Sequence, residues 1–173
     1  MIGNTPMLEI NYKYKGEART IYAKAEYFNL TGSIKDRIAF HMITEAYKDG
    51  SLKPGMPIVE ATSGNTGISF SALGAFFGHE VHIFMPDWMS YERKEMIKKY
   101  GAVLHEVSKE EGGFIGSIEK ANEFSKKISG FRPHQFSNNQ NSDAHYLTTG
   151  SEIQTQLKMN NIVPDALVLL LLV

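Results

Sequence analysis

The chain has 173 residues, 42% of them apolar, with a formal net charge of -1. That is the size of one ordinary domain with enough apolar mass for a core, and it offers no basic field to attract nucleic acid or anionic lipid. With no cysteine, disulfides, thiolate metal sites and a catalytic thiol are excluded. The six histidines, His41, His79, His82, His105, His134 and His145, form no metal-ligand pattern such as His-Glu-x-x-His, so no metal site is expected.

The opening Met1-Ile2-Gly3-Asn4-Thr5-Pro6 lacks a positive stretch followed by an apolar run, so no signal peptide is expected and a cytoplasmic location is the default. Alternation over 21–28, with Ile21, Ala23, Ala25 and Tyr27 on one side, predicts a strand. A loop over Asn29–Ser33 leads into a helix with Ile34, Ile38, Met42 and Ala46 on one stripe, ending at Asp49-Gly50. Pro54, Gly55 and Pro57 prevent its continuation. A short strand, 58–61, precedes Thr62-Ser63-Gly64-Asn65-Thr66-Gly67. An apolar helix, 68–77, closes at Gly78.

Val81–Met85 reads as a strand stopped by Pro86. A helix over 91–100, with Met96 and Ile97 inward, is capped by Gly101. A strand over 103–107 follows. Gly112-Gly113 interrupts the chain before a helix over about 117–128. Gln135-Phe136 is expected in a short strand, 137–143 in a polar loop and 150–160 in a helix. The apolar tail, 166–173, is too short to span a bilayer, which takes about 20 residues. Strand and helix alternate with short links, which predicts an α/β fold: a parallel sheet in a three-layer αβα domain. Ligands of such sheets bind beyond the carboxyl ends of the strands.

Three places could carry chemistry. Thr62–Gly67 follows a strand and opens a helix. Its glycines permit close backbone approach, and the free N–H groups of the helix start face an anion. Thr62, Ser63 and Thr66 add hydroxyls, and Asn65 an amide. Without Gly-Lys-Ser/Thr it is not a nucleotide P-loop, and the plainer alternative is a helix cap rich in Ser and Thr. Lys35 lies in the first turn of a helix, where the positive helix end and partial burial favour the neutral, nucleophilic amine; the alternative is a solvated lysine. Gln135 could bind a carboxylate or satisfy loop backbone.

Together these segments resemble the cysteine synthase and cystathionine β-synthase group, the fold type II pyridoxal-phosphate enzymes. The resemblance runs from Ile2-Gly3-Asn4-Thr5-Pro6 through Thr149-Gly150-Ser151-Glu152-Ile153. It implies that Lys35, within Gly32-Ser33-Ile34-Lys35-Asp36-Arg37, carries pyridoxal 5'-phosphate as a Schiff base and then serves as general base. It implies that Thr62, Ser63, Gly64 and Thr66, with Gln135, bind the substrate α-carboxylate, and that Asn65 bonds the cofactor's ring oxygen. The implied reaction is β-replacement on O-acetylserine, serine or a relative, with a sulfur nucleophile, as in cysteine biosynthesis.

The same resemblance implies a small mobile substrate-binding domain over 36–143. Residues 1–35 and 144–173 then belong to an incomplete cofactor-binding large domain. Leu30 and Asn139 stand where the family usually has proline. Beyond Pro164-Asp165 the family continues into a Gly-Thr-Gly-Gly-Thr phosphate loop, whereas this chain reads 166–173 and stops. The expectation is therefore a truncated form, with an exposed apolar surface that self-associates or pairs with another polypeptide. The alternatives are a non-catalytic module binding a carboxylate or a peptide C-terminus, such as the tail of serine acetyltransferase, and a structural remnant.

Overall fold

The computed structural model describes residues 1–168. The first element is one the alternation of Leu8, Ile10, Tyr12 and Tyr14 encodes and the sequence reading passed over. Strand β1 (Met7–Tyr14) pairs antiparallel with β2 (Glu17–Lys24), Tyr14 opposite Glu17. The two connecting residues, Lys15 and Gly16, both have positive φ, the type I′ geometry whose twist suits a two-residue hairpin. The strand expected over 21–28 ends at Lys24. Residues Glu26–Phe28 instead form a 3-10 turn, because Asn29 Nδ2 donates to the Glu26 carbonyl at 2.9 Å and the Glu26 carboxylate is drawn to Arg37.

Helix α1 (Lys35–Asp49) buries Ile38, Met42 and Ala46, the expected stripe. Three strands, β3 (Ile58–Ala61), β4 (Val81–Pro86) and β5 (Val103–Val107), form a parallel sheet in the order β3-β4-β5. The connections are α2 (Asn65–Phe77) and α3 (Tyr91–Lys99), and α4 (Gly113–Ile128) follows β5. On one sheet face Ile58, Ile83 and Met85 join Met42, Ile43, Phe70, Leu73 and Ile97. On the other, Val59, Ala61, Phe84 and Val107 pack against Ala121, Ile118, Phe124 and Ile128 of α4. These are the three layers expected; β3 and β4 are buried on both sides because helices cover both, while β5 at the sheet edge is half-exposed.

Several local expectations are corrected. In α3 Ile97 is fully buried, while Met96 is more than a third exposed. Gly112-Gly113 opens α4 instead of delaying it; both glycines have positive φ, and Gly116 N donates back to Gly112 O. Gln135-Phe136 is a turn. Pro133 has no N–H, His134 is left-handed, and Ser137 and Asn138 both donate to its carbonyl. The strand-like pairing lies four residues earlier, where Phe131 bridges Ile58 in parallel. Within the expected polar loop, Gln140–Ala144 is a short helix, α5. It continues through a π-helical turn (His145–Gly150) into α6 (Ser151–Met159).

Leu8, Ile10, Tyr12, Tyr14 and Ile21 of the hairpin are exposed, as are Leu167 and Val168. Of the apolar tail, residues 169–173 lie outside the described residues. No helix of the described residues is long and apolar enough to cross a membrane.

Candidate active site

The carboxyl ends of β3, β4 and β5 share one edge of the sheet, and Thr62–Gly67 occupies the β3 end. Thr62 is buried; its N–H continues the sheet to Phe84 O (3.0 Å) and its Oγ1 accepts from Gly64 N (3.1 Å). Gly67 N and Ile68 N both donate to Gly64 O. These bonds fold the turn and start α2 at Asn65, three residues earlier than its apolar stretch indicated. Among the described residues, the N–H groups of Ser63, Asn65 and Thr66 donate to no protein acceptor. Ser63 and Asn65 are exposed, Thr66 buried. Helix starts leave such donors free, and here they lie at the ligand edge of a parallel sheet.

Gln135 is brought to the same strand end. Its Nε2 donates to Ala61 O at 2.9 Å, and its N–H donates to Glu60 Oε2 at 3.2 Å. Glu60 is fully buried, ion-paired with Arg132, and also accepts from Ala61 N at 2.7 Å. A buried carboxylate thus anchors the 132–135 turn against β3. Gln135 is 7% exposed, and one amide hydrogen remains beyond the bond to Ala61.

Lys35 begins α1, half-buried. The preceding loop is tied by Asp36, whose carboxylate accepts from Thr31 N and Thr31 Oγ1, both at 2.6 Å. Thr31 Oγ1 in turn lies 3.4 Å from Ser69 Oγ of α2. The lysine loop and the first turns of α2, with Asn65 at their head, are therefore neighbours. Among the described residues, Lys35 Nζ makes no hydrogen bond or ion pair.

Two features beside Lys35 escaped the sequence reading. Arg37, 2% exposed, grips two carboxylates. Nε and Nη2 reach Glu26 at 2.7 and 2.9 Å; Nη1 and Nη2 reach Glu152, both at 2.8 Å; Nη2 also reaches Thr5 Oγ1 at 3.1 Å. Lys24 Nζ adds a bond to Glu152 at 2.8 Å, and Asn4 N another at 2.8 Å. Burial pushes the Glu152 carboxyl up, but hydrogen bonds from Arg37, Lys24 and Asn4 outweigh it and hold it at about 2. Glu26 is likewise held low against burial, by Arg37, Thr5 and Asn29. The guanidinium is stabilised above its ordinary value in spite of burial.

His145 is the second feature. Its Nδ1 lies 3.0 Å from Thr149 Oγ1 within the π turn. Burial first, then the positive charges of Lys35 and Arg37, lower its pKa, so a neutral imidazole stands near the lysine. Its only sequence signal is its place just ahead of Thr149-Gly150.

An amine on one helix start, without a partner among the described residues, thus lies near a second helix start with unused N–H donors and a buried glutamine. The chain belongs to the pyridoxal-phosphate dependent enzyme family, whose model matches residues 1–171. It is 44% identical over 154 residues to a probable cysteine synthase of Bacillus subtilis, covering 88% of this chain and 49% of that protein. It is 43% identical to cysteine synthase B of Escherichia coli, covering 90% and 51%. A solved structure of a hydrogen sulfide-producing enzyme from Fusobacterium nucleatum shares 56% identity with a TM-score of 0.90, over 92% of this chain and 48% of that one. A cysteine synthase structure from Entamoeba histolytica shares 42% identity with a TM-score of 0.81, over 91% and 48%. The chain spans about half the length of the curated relatives it matches.

Proposed function

We propose that this chain carries the lysine and the amino-acid carboxylate site of a cysteine synthase-like β-replacement enzyme. The observation that carries the reading is the set of free N–H donors on Ser63, Asn65 and Thr66, with Gln135 held against the same strand end. Lys35, half-buried and without a partner among the described residues, fits an amine that binds a carbonyl cofactor. Asn65, exposed at the head of α2, fits a contact to that cofactor's ring oxygen.

When bound, pyridoxal phosphate supplies an electron sink for loss of the β-substituent from O-acetylserine, serine or a relative. The protein's part is positional. Ser63, Gly64 and Thr66, steadied by Thr62 and joined by Gln135, clamp the α-carboxylate and so orient the Cα–H bond. Lys35 then takes the Cα proton as general base. We assign 36–143 to a small mobile domain, and 1–35 with 144–173 to part of a larger one. The apolar face formed by Leu8, Ile10 and Ile21 supports association with a second copy or another polypeptide; a monodisperse monomer in light scattering would count against it.

Incubation with pyridoxal phosphate, borohydride reduction and peptide mass mapping test the assignment. A single adduct on Lys35, lost in Lys35→Ala, is expected. Adducts spread over surface lysines and unchanged in that variant refute it. Binding of amino acids or peptide C-termini in the absence of cofactor, with no adduct at Lys35, instead identifies a carboxylate-binding module.

A further inference from the structure

Helix α3 packs against the beginning of α2 and the turn before it, and two of its side chains meet glycines there, Gly67 in the helix and Gly64 in the turn. A Cβ built on Gly67 would stand 3.3 Å from Ile97 Cδ1. One turn earlier on the same face of α3 is Arg93. A Cβ built on Gly64 would stand 3.1 Å from Arg93 Nε, 3.3 Å from Cδ and 3.4 Å from Cζ. The guanidinium thus rests against the bare backbone of Gly64, inside the turn whose N–H groups are free. Its neighbour Lys94 is occupied with Glu106 at 2.6 Å and with Asp87 O. Arg93 is exposed and, among the described residues, makes no ion pair or hydrogen bond.

An arginine that only covered the backbone would be free to pair with an acid. This one leaves a whole positive charge beside an anion cradle built from partial charges. We propose that Arg93 is a positioning residue of the carboxylate site, resting on the reading of Thr62–Gly67 as that site. It holds the turn through Gly64 and adds the charge that draws the amino acid's carboxylate in. The side chain is long enough to swing, so its contribution is that of an exposed ion pair, not a buried one.

The test titrates the ¹⁵N-labelled full chain with L-serine and with L-serinamide, which lacks the carboxylate, and follows the amides of 63–66. Wild type should respond to L-serine. Arg93→Gln should weaken L-serine by about two- to fivefold at low salt. The difference should vanish near 1 M salt, where the screening length is about 3 Å. Arg93→Lys should keep most of the affinity. Serinamide binding should not weaken in Arg93→Gln. Equal L-serine affinity in wild type and Arg93→Gln overturns the inference while leaving the carboxylate site intact. So does an Arg93→Lys variant as weak as Arg93→Gln, or an equal loss for serinamide. If L-serine fails to move these amides in wild type, the carboxylate reading itself falls, and this inference with it.

Discussion

Replacing Arg37 with methionine removes one guanidinium that holds five hydrogen bonds, two to Glu26, two to Glu152 and one to Thr5. Methionine fills similar volume, so the loss is electrostatic. Two carboxylates at low exposure, 14% and 15% by side chain, are left with Lys24 alone as cation. Breaking a buried pair in this way costs about 3–5 kcal/mol. For a domain of this size that is a fall of roughly 6–20 °C in melting temperature. The Glu152 carboxyl, ordinarily at 4.5 and held at about 2, fixes the pH signature. A carboxyl lowered on folding contributes stability that is whole above 4.5 and lost as pH falls toward 2. The Glu152 share is about 3 kcal/mol at face value and about 2 kcal/mol allowing for its residual solvent contact. Urea melts of wild type and Arg37→Met across pH 2 to 7 should therefore converge toward the acid end. The triple variant Arg37→Met, Glu26→Gln, Glu152→Gln should recover much of the loss at pH 7. A cost under about 1 kcal/mol at pH 7, or one equally large at pH 2, refutes the reasoning.

Gly116→Ala places a Cβ 2.0 Å from the backbone carbonyl oxygen of Glu111, so the 108–112 loop must move. It should cost about 1–3 kcal/mol. Gly150→Ala, whose Cβ among the described residues meets His145 O at 3.4 Å in helical backbone, should be neutral or stabilising by about 0.5–1 kcal/mol in the same melts. His82 and His105, 3.1 Å apart nitrogen to nitrogen and packed on Phe84 and Phe124, are lowered from 6.5, by burial first. The folded state then binds fewer protons than the unfolded one, so their stability is whole above pH 6.5 and lost below it. The urea midpoint should drop between pH 6.5 and 5, and more shallowly in His105→Phe; parallel profiles would refute this.

The three-layer core was legible because β3, β4 and β5 are short runs led by Val, Ile, Leu or Phe and closed by Thr62, by Pro86-Asp87 and by a polar loop. The turn at Thr62–Gly67 was legible for a similar reason, since its glycines and hydroxyls follow a strand directly. Hairpin strand β1 was equally legible, since Leu8, Ile10, Tyr12 and Tyr14 alternate with Glu9, Asn11 and Lys13, the period of a half-exposed strand. Gln135 was placed in a strand because its neighbour Phe136 is apolar, yet the bond that positions it runs 74 residues back to Ala61. Arg93 sits in the run Glu92-Arg93-Lys94-Glu95, which reads as a solvated face; only the approach of α3 to Gly64 distinguishes it. Arg37 was visible within a motif, but its partners are 11 and 115 residues away, and no local pattern encodes such pairs.

The same separation divides the contacts by the length of loop each one closes. From β3 through α4, each strand pairs with the next strand along the chain, so each pairing closes a far shorter loop, at a smaller entropic cost, than the clamp around Arg37. The clamp around Arg37 obeys the opposite rule: Asn4 meets Glu152 across 148 residues. The clamp closes one of the longest loops of the described chain, and because Arg37 lies two residues beyond Lys35 in the first turn of α1, the base of Lys35 rests on contacts made across nearly the whole of it.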